Sequence, residues 1–208
     1  MIKAVIFDAG NVMISISACM TCDALARFSP LSPEEIYAKI FFSLAMTRYE
    51  RGMITSEVFY AQIAKLIDAP QELCFEAFAD AWNDTFLLPN AMIATVFDRL
   101  HPDIMHIILS NTNDLHWNFL AEFPLIKKYF SDEERLVLSY RQGVCKPGAG
   151  IFLEAIRRCR CRAEEIVYID DNPGYVRSFK IMGGNGIVYN CQTDSIEYLI
   201  NELSAYGV

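Results

Sequence analysis

The chain has 208 residues, of which 53% are hydrophobic and 21% are charged. This composition is typical of a globular protein and excludes an intrinsically disordered one, and the formal net charge of -8 disfavours partners such as nucleic acid or an anionic membrane. No apolar run is long enough to cross a membrane and the N-terminus does not resemble a leader peptide, so we expect a cytoplasmic protein with reduced thiols.

Short apolar segments along the chain predict the strands of one parallel sheet. They alternate with helical segments, a pattern that favours an open α/β fold. The predicted strands are residues 3–7, 106–109, 136–138, 166–169 and 187–189. Helical spacing follows residues 110, 147 and 173. It is clearest over residues 151–159, where Ile151, Leu153, Ala155 and Ile156 are predicted to lie on or near one side.

Residues 15–89 interrupt this alternation, because they contain helical patterns and no convincing strand. The predicted helical segments are residues 32–52, 55–67 and 71–86. Ser32 and Thr55 are suitable residues to cap the first two helices, and Gly52 is a suitable residue to end the first. The sequence therefore predicts an all-helical domain at residues 15–89, inserted into a core domain made of residues 1–14 and 90–208.

Polar residues stand at the end of successive predicted strands. Each has an ordinary structural explanation when taken alone, such as a turn, a helix cap or a solvated side chain. In a parallel sheet, however, these strand ends meet at one edge, where ligands bind. The residues are Asp8, Ser110 with Asn111, Lys146, and Asp170 with Asp171. Their joint occurrence predicts a functional site.

The chemistry that suits this set is the transfer of a phosphoryl group to a carboxylate. Asp8 can attack phosphorus as a nucleophile, and carboxylates beside it can hold a Mg²⁺ ion that offsets the charge repulsion. Lys146 would neutralise further negative charge. The Ser110 hydroxyl and the following backbone amide would bind phosphate oxygens at a helix N-terminus.

The same segments resemble the four motifs of the haloacid dehalogenase (HAD) superfamily. The strings VIFDAGNV, IILSNTN, CKP and VYIDDN are similar to these motifs and occur in the same order. LSNTNDLH and KPGAGIF bring the chain closest to the bacterial branch of α-D-glucose-1-phosphate phosphatase. The resemblance implies a Rossmann-like core with a parallel sheet and an inserted helical cap of the C1 type. It also implies a Mg²⁺-dependent phosphatase of small phosphorylated metabolites, with sugar phosphates as the expected substrates.

Site roles follow from the resemblance, residue by residue. It implies that Asp8 is the nucleophile and a metal ligand, and that Gly10 offers its backbone carbonyl to the metal. Asp171, with Asp170 beside it, completes the metal site. Ser110 and Asn111 bind the phosphoryl group, and Lys146 neutralises charge.

Two further residues are candidates for substrate contact. His116 falls where this branch often has a histidine, and Arg51 belongs to the quartet YERG, which can face the site from the cap. Each has an alternative interpretation. His116 fits a core or surface histidine, and Arg51 fits a cation at a helix C-terminus followed by a glycine.

The chain departs from the family pattern at three places. Most phosphatases of the superfamily have an acid/base Asp where this chain has Gly10. Tyr175 replaces a common Asn or Asp, and Gly148 replaces a common acidic residue. Two alternatives therefore stay open, a metal-independent 2-haloacid dehalogenase and a weak or inactive binding protein on the same fold. We expect a monomer or a homodimer.

Overall fold

The structure is a computed structural model that describes residues 1–69 and 73–208. Strands and helices follow one another along this part of the chain. The strands are β1 (Ala4–Phe7), β2 (Ile14–Ile16), β3 (Phe86–Pro89), β4 (Met105–Ser110), β5 (Leu136–Leu138), β6 (Ile166–Asp170) and β7 (Asn185–Val188). The helices are α1 (Ala18–Ala26), α2 (Pro33–Phe41), α3 (Leu44–Glu50), α4 (Ser56–Leu66), α5 (Phe75–Asn83), α6 (Ile93–Arg99), α7 (Asp114–Leu120), α8 (Pro124–Tyr129), α9 (Ser139–Gln142), α10 (Ala149–Cys159), α11 (Pro173–Ile181) and α12 (Ile196–Ala205).

Five parallel strands form the central sheet, in the order β5-β4-β1-β6-β7. This confirms the predicted α/β fold class, and every predicted strand is present with its ends shifted by no more than two residues. All residues of β1 and β6 are buried. Because helices cover both faces of the sheet, these strands are continuous apolar runs and do not alternate with polar residues.

The register of the sheet brings the ends of its central strands to the same level. Phe7 of β1 pairs with Ile108 of β4 on one side and with Ile169 of β6 on the other. The next residues along β1 and β6 are Asp8 and Asp170. These two carboxylates therefore leave the sheet side by side at its carboxyl edge.

The region predicted as an all-helical insert contains two strands. β2 and β3 pair antiparallel, with Ile14 opposite Pro89 and Ile16 opposite Phe86, and helices α1 to α5 lie between them. The prediction of no strand in residues 15–89 is therefore wrong at both ends of the segment. The two strands have three and four residues, which is too short for an alternating pattern to stand out. Their pairing also joins parts of the chain about 70 residues apart.

The helical pattern over residues 32–52 is divided into two helices. The first, α2, begins with a capping box at Ser32 and ends at Phe41. Ser43 then caps α3 by accepting a hydrogen bond from the Met46 N–H at 3.0 Å. This cap starts a new helix where apolar periodicity alone suggested a continuous one. The third predicted helical segment, residues 71–86, begins at residues that lie outside the described part of the chain. Within the described part, α5 covers Phe75–Asn83.

The helical insert has an apolar core of its own. Trp82 lies at its centre, is fully buried, and stacks on Phe78 with ring centroids 5.8 Å apart. The core domain buries one cluster on each face of the sheet. In α10, Phe152 is buried and Leu153 is 57% exposed, so the predicted apolar side is corrected at that position. Among the described residues, no helix has the length and apolar character that crossing a membrane would need.

Candidate active site

Asp8 and Lys146 meet at the carboxyl edge of the sheet. The Asp8 N–H donates to the carbonyl of Ile169 at 2.9 Å, which ties the residue to the neighbouring strand just beyond β1. The Nζ atom of Lys146 lies 2.9 Å from Asp8 Oδ1 and 2.7 Å from Asp170 Oδ2. All three side chains are almost fully buried. One ammonium group thus joins the carboxylates of two adjacent strands.

Asn111 fixes the loop that carries Lys146. Its side-chain oxygen accepts from the Lys146 N–H at 2.8 Å, and its side-chain nitrogen donates to the Lys146 carbonyl at 3.1 Å. Each end of the amide therefore makes one hydrogen bond within the protein. The second N–H of the side-chain amide and the backbone N–H can still donate to a ligand, so phosphoryl binding by Asn111 stays a prediction.

Burial controls the proton affinity of these groups. It raises the pKa of Asp8 to about 7, against the lowering effect of the Lys146 ammonium. For Lys146, burial alone would lower the pKa, but the charges of Asp8 and Asp170 outweigh it and hold the pKa above its usual range. Lys146 therefore stays charged, whereas Asp8 needs more positive charge nearby to be ionised throughout the neutral range.

Three carboxylates form a cluster that fits a hard cation. Oxygens of Asp8, Asp170 and Asp171 all lie within 4.8 Å of one another. Carboxylate oxygens are the donors that Mg²⁺ prefers, and this ion keeps several waters when few protein ligands are present. Burial raises the pKa of Asp171 as it does that of Asp8, which shows that the cluster carries a charge cost that a cation would offset.

The two acids of the fourth motif differ in how many of their oxygens are already used. Asp170 accepts hydrogen bonds from Lys146 Nζ, from the Tyr168 hydroxyl and, at 2.7 Å, from the Asn172 N–H. Asp171 accepts through Oδ2 from the side-chain nitrogen of Asn11 at 2.9 Å. Asp171 therefore has an oxygen to spare, and Asp170 mainly holds Lys146 in position.

Gly10 and Asn11 form the turn after the nucleophile position. Gly10 bridges to Ile14, and Asn11 adopts a left-handed φ of 53° that asparagine tolerates better than most residues. The Asn11 side chain bonds to the Ile16 N–H at 3.1 Å as well as to Asp171. An added Cβ at Gly10 would lie 2.9 Å from Ile16 Cδ1, so an aspartate at this position requires that methyl group to move.

Ser110 ends β4 and is buried. Its hydroxyl makes a weak contact of 3.4 Å with the carbonyl of Asn111. The following helix, α7, starts only at Asp114 and is capped by Asn113, whose side chain accepts from the His116 N–H at 3.1 Å. The expectation of a helix N-terminus directly after Ser110 is therefore wrong, because the residues between Ser110 and α7 are not helical. Phosphate binding by Ser110 and the backbone amide after it stays a prediction.

The chain is similar in sequence or in fold to several known enzymes. No protein-family model matches the chain. A D-ribitol-5-phosphate phosphatase from Bacteroides thetaiotaomicron is 25% identical over 186 residues, covering 88% of this chain and 89% of the relative. A HAD family enzyme from the same organism, solved in complex with magnesium and inorganic phosphate, has a TM-score of 0.81 at 22% identity and covers 93% of this chain and 97% of its own. L-2-haloacid dehalogenase from Xanthobacter autotrophicus has a TM-score of 0.65 at 21% identity. The match covers 98% of this chain and 83% of the dehalogenase chain.

The chain has the fold of haloacid dehalogenase superfamily enzymes over nearly its whole length. The predicted resemblance to this superfamily is confirmed. The finer resemblance to the α-D-glucose-1-phosphate phosphatase branch stays a prediction.

Of the two predicted substrate-contact residues, His116 packs against Trp82 of the insert. Its ring stacks on Trp82 with centroids 5.1 Å apart, and its Nε2 lies 3.1 Å from the Trp82 carbonyl oxygen. Burial lowers the pKa of His116 to about 4, so the ring is neutral. These contacts match the structural interpretation of His116, as a residue packed where the insert meets the core, and correct the substrate-binding one.

Arg51 lies near Cys145, the residue before Lys146. It is the exposed residue that follows α3, and its charge acts on both the Cys145 thiol and Glu50. The structure thus brings Arg51 to the Lys146 loop, as a substrate contact would require.

Sequence reasoning did not single out Tyr168 and Glu50. Tyr168 stands two residues before Asp170 on the same strand, so strand periodicity could have placed both on one face. Glu50 lies in the quartet YERG, but its approach to the core depends on how the insert docks. No local sequence pattern predicts how the insert packs on the core.

Proposed function

We propose that the chain is a Mg²⁺-dependent phosphatase of small phosphorylated metabolites, working through an aspartyl-phosphate intermediate on Asp8. The observation that carries the proposal is the buried arrangement of Asp8, Lys146 and Asp170, with Nζ 2.9 Å and 2.7 Å from the two carboxylates. A nucleophilic carboxylate that must approach an anionic phosphate needs this kind of charge compensation.

Each residue has one task in the reaction. Asp8 attacks phosphorus, and its attachment to β6 through the Ile169 carbonyl limits its motion. Lys146 stabilises the negative charge on the nucleophile and on the phosphoryl oxygens. Ser110 and the backbone N–H of Asn111 bind those oxygens, and Arg51 contacts the rest of the substrate.

Asp8, Asp170, Asp171 and the Gly10 carbonyl are the groups that would hold Mg²⁺, with Asp171 the least committed of the carboxylates. When bound, the ion supplies positive charge to the transferring phosphoryl group and lowers the proton affinity of Asp8. Asp170 contributes less directly, because it orients Lys146.

Polyol and sugar phosphates are the substrate class to test first. The relative named D-ribitol-5-phosphate phosphatase, 25% identical over most of both chains, supports this choice. So does the resemblance of LSNTNDLH and KPGAGIF to the sugar-phosphatase branch. We propose that the protein acts in the cytoplasm as a monomer or a homodimer.

The test is a panel of phosphorylated metabolites with p-nitrophenyl phosphate as a generic substrate. The wild-type protein should release phosphate with Mg²⁺ and lose this activity in EDTA, and Asp8→Asn should be inactive. Phosphate release that survives Asp8→Asn would contradict the proposal. Chloride release from chloroacetate in EDTA would instead support a dehalogenase, for which a cluster of three carboxylates has no use.

A further inference from the structure

The vacancy at Gly10 leaves the proposed reaction without an obvious proton donor. A phosphomonoester releases an alkoxide, which is a poor leaving group unless it is protonated. Asp8 is the nucleophile, and both oxygens of Asp170 already accept hydrogen bonds. Tyr175 lies nearby, its ring centroid 5.2 Å from Lys146 Nζ, but burial raises the pKa of its phenol above 10, which makes it a weak acid at neutral pH.

The C-terminal end of α3 brings another acid to this place. Glu50 is the last residue of α3, and its carbonyl oxygen lies 2.7 Å from Ser139 Oγ and 3.7 Å from Cys145 Sγ. The same Ser139 hydroxyl accepts from the Thr112 N–H at 2.9 Å. The backbone of Glu50 is thus fastened to the loops that follow β4 and β5, on the side of the core that carries Lys146.

The turn after Glu50 packs closely enough on the core to fix this position. Gly52 has a φ of +62°, and a Cβ at this residue would lie 2.0 Å from the carbonyl oxygen of Tyr140. Glycine is therefore required here for both backbone conformation and space. The insert is seated directly against the core beside Glu50, with no room for another side chain at the turn.

The carboxyl group of Glu50 lies close enough to Lys146 and Arg51 to be affected by their charges. The group is partly buried, which raises its pKa, while the charges of Lys146 and Arg51 act in the opposite direction. Tyr175, whose ring faces Lys146, also experiences the Glu50 charge. The groups facing Glu50 are therefore Lys146 and Cys145 from the loop after β5, Tyr175 from α11, and Arg51 from its own turn.

We propose that Glu50 is the general acid and base of the reaction, taking the role that an aspartate at residue 10 has in most phosphatases of the superfamily. This inference rests on the proposed function. A carboxyl group held beside Cys145 and Lys146 can give a proton to the leaving oxygen and later take one from water, which is what the role requires.

The two half-reactions balance with Glu50 in this role. First, an Asp8 oxygen bonds to phosphorus as the bond from phosphorus to the substrate oxygen breaks. The electron pair goes to that oxygen, which takes the Glu50 proton and leaves as an alcohol. Then the Glu50 carboxylate takes a proton from water, and the water oxygen bonds to phosphorus as the bond to Asp8 breaks. Inorganic phosphate leaves, and Glu50 is protonated again.

Two substrates with different leaving groups separate the steps in Glu50→Gln. With an alkyl phosphate such as ribitol 5-phosphate or glycerol phosphate, we expect kcat to fall by about 10²- to 10⁴-fold. With p-nitrophenyl phosphate, the leaving group departs without a proton, so only the second step is slowed. Nitrophenolate should then appear as a burst of about one equivalent per enzyme, followed by a slow steady rate.

Matched variants make the result specific to Glu50. Glu57→Gln changes an exposed glutamate of the same insert and should behave as wild type. Gly10→Asp, combined with Ile16→Val to remove the methyl that a Cβ would meet, should restore alkyl phosphate turnover to Glu50→Gln. Folding of each variant is checked by urea unfolding.

The outcomes also separate this inference from the proposed function. An inactive wild-type protein, or an active Asp8→Asn, would refute the proposed function itself. An active wild type with full alkyl phosphate turnover and no burst in Glu50→Gln would refute the role of Glu50 alone. A burst in Tyr175→Phe instead of Glu50→Gln would assign the proton to Tyr175 and overturn the inference.

Discussion

Replacing Lys146 by methionine removes the positive charge that two buried carboxylates share, while keeping a side chain of similar length. Lys146 Nζ lies 2.9 Å from Asp8 and 2.7 Å from Asp170, and its side chain is 1% exposed. Breaking a buried ion pair by removing one partner typically costs about 3–5 kcal/mol, because the remaining charge is left without compensation. We expect a loss of this size in the free energy of unfolding at pH 8.

The loss should shrink at low pH, because Asp8 can escape it by binding a proton. In the fold the pKa of Asp8 is raised from 3.8 to about 7, so the folded protein binds this proton more tightly than the unfolded chain does. Stability from this group is therefore full below about pH 4 and is lost as the pH rises toward 7. Without Lys146 the pKa of Asp8 rises further. The difference between variant and wild type should accordingly be smaller at pH 5 than at pH 8.

Urea unfolding in EDTA, at pH 5 and at pH 8, measures both effects. Lys3→Met is the matched control, since Lys3 is 60% exposed and pairs with Glu165 at 2.7 Å on the surface. Such a pair is worth about 0–1 kcal/mol. If Lys146→Met lost no more stability than Lys3→Met, or lost the same amount at both pH values, the assignment of a buried charge network to this site would be refuted.

Three further predictions concern the metal site, the insert and its contact with the core. Mg²⁺ at 100 times its Kd should raise the unfolding free energy by about 2.7 kcal/mol in urea titrations at pH 7, and Asp171→Asn should remove this gain. Trp82→Ala should destabilise the protein by about 3–5 kcal/mol in the same assay, because Trp82 fills the core of the insert. Burial lowers the pKa of His116 from 6.5 in the unfolded chain to about 4 in the fold. The free energy of unfolding should therefore fall by up to about 3 kcal/mol as the pH drops from 6.5 to about 4, and it should fall less in His116→Gln.

The sheet and the residues at its edge could be predicted because both depend on short, local stretches of sequence. Residues 136–138 form β5 with the predicted ends, and Asp8 and Asp170 follow strands that are apolar throughout. A strand that is buried on both faces is a continuous apolar run, which is recognisable in the sequence. The parallel arrangement of such strands then brings their carboxyl ends together.

The remaining features depend on contacts between distant segments. β2 and β3 are strands because they pair with each other, and neither has a pattern of its own. Asn111 carries no sign in the sequence that both ends of its amide bind the backbone of Lys146. Ser43 could have been recognised as a helix cap. The apolar periodicity is continuous on both sides of it, however, so the pattern predicted one helix where the structure has two.

A proton donor on the insert differs in one physical respect from an aspartate at residue 10. The aspartate would stay two residues from Asp8 in every arrangement of insert and core, whereas Glu50 reaches Lys146 only while the end of α3 rests on Ser139. Protonation of the leaving group would then require the seated insert, which also shields the intermediate from bulk water. Gly10 becomes consistent with catalysis on this view. The turn after Asp8 needs no acid there, because the insert supplies one when it covers the site.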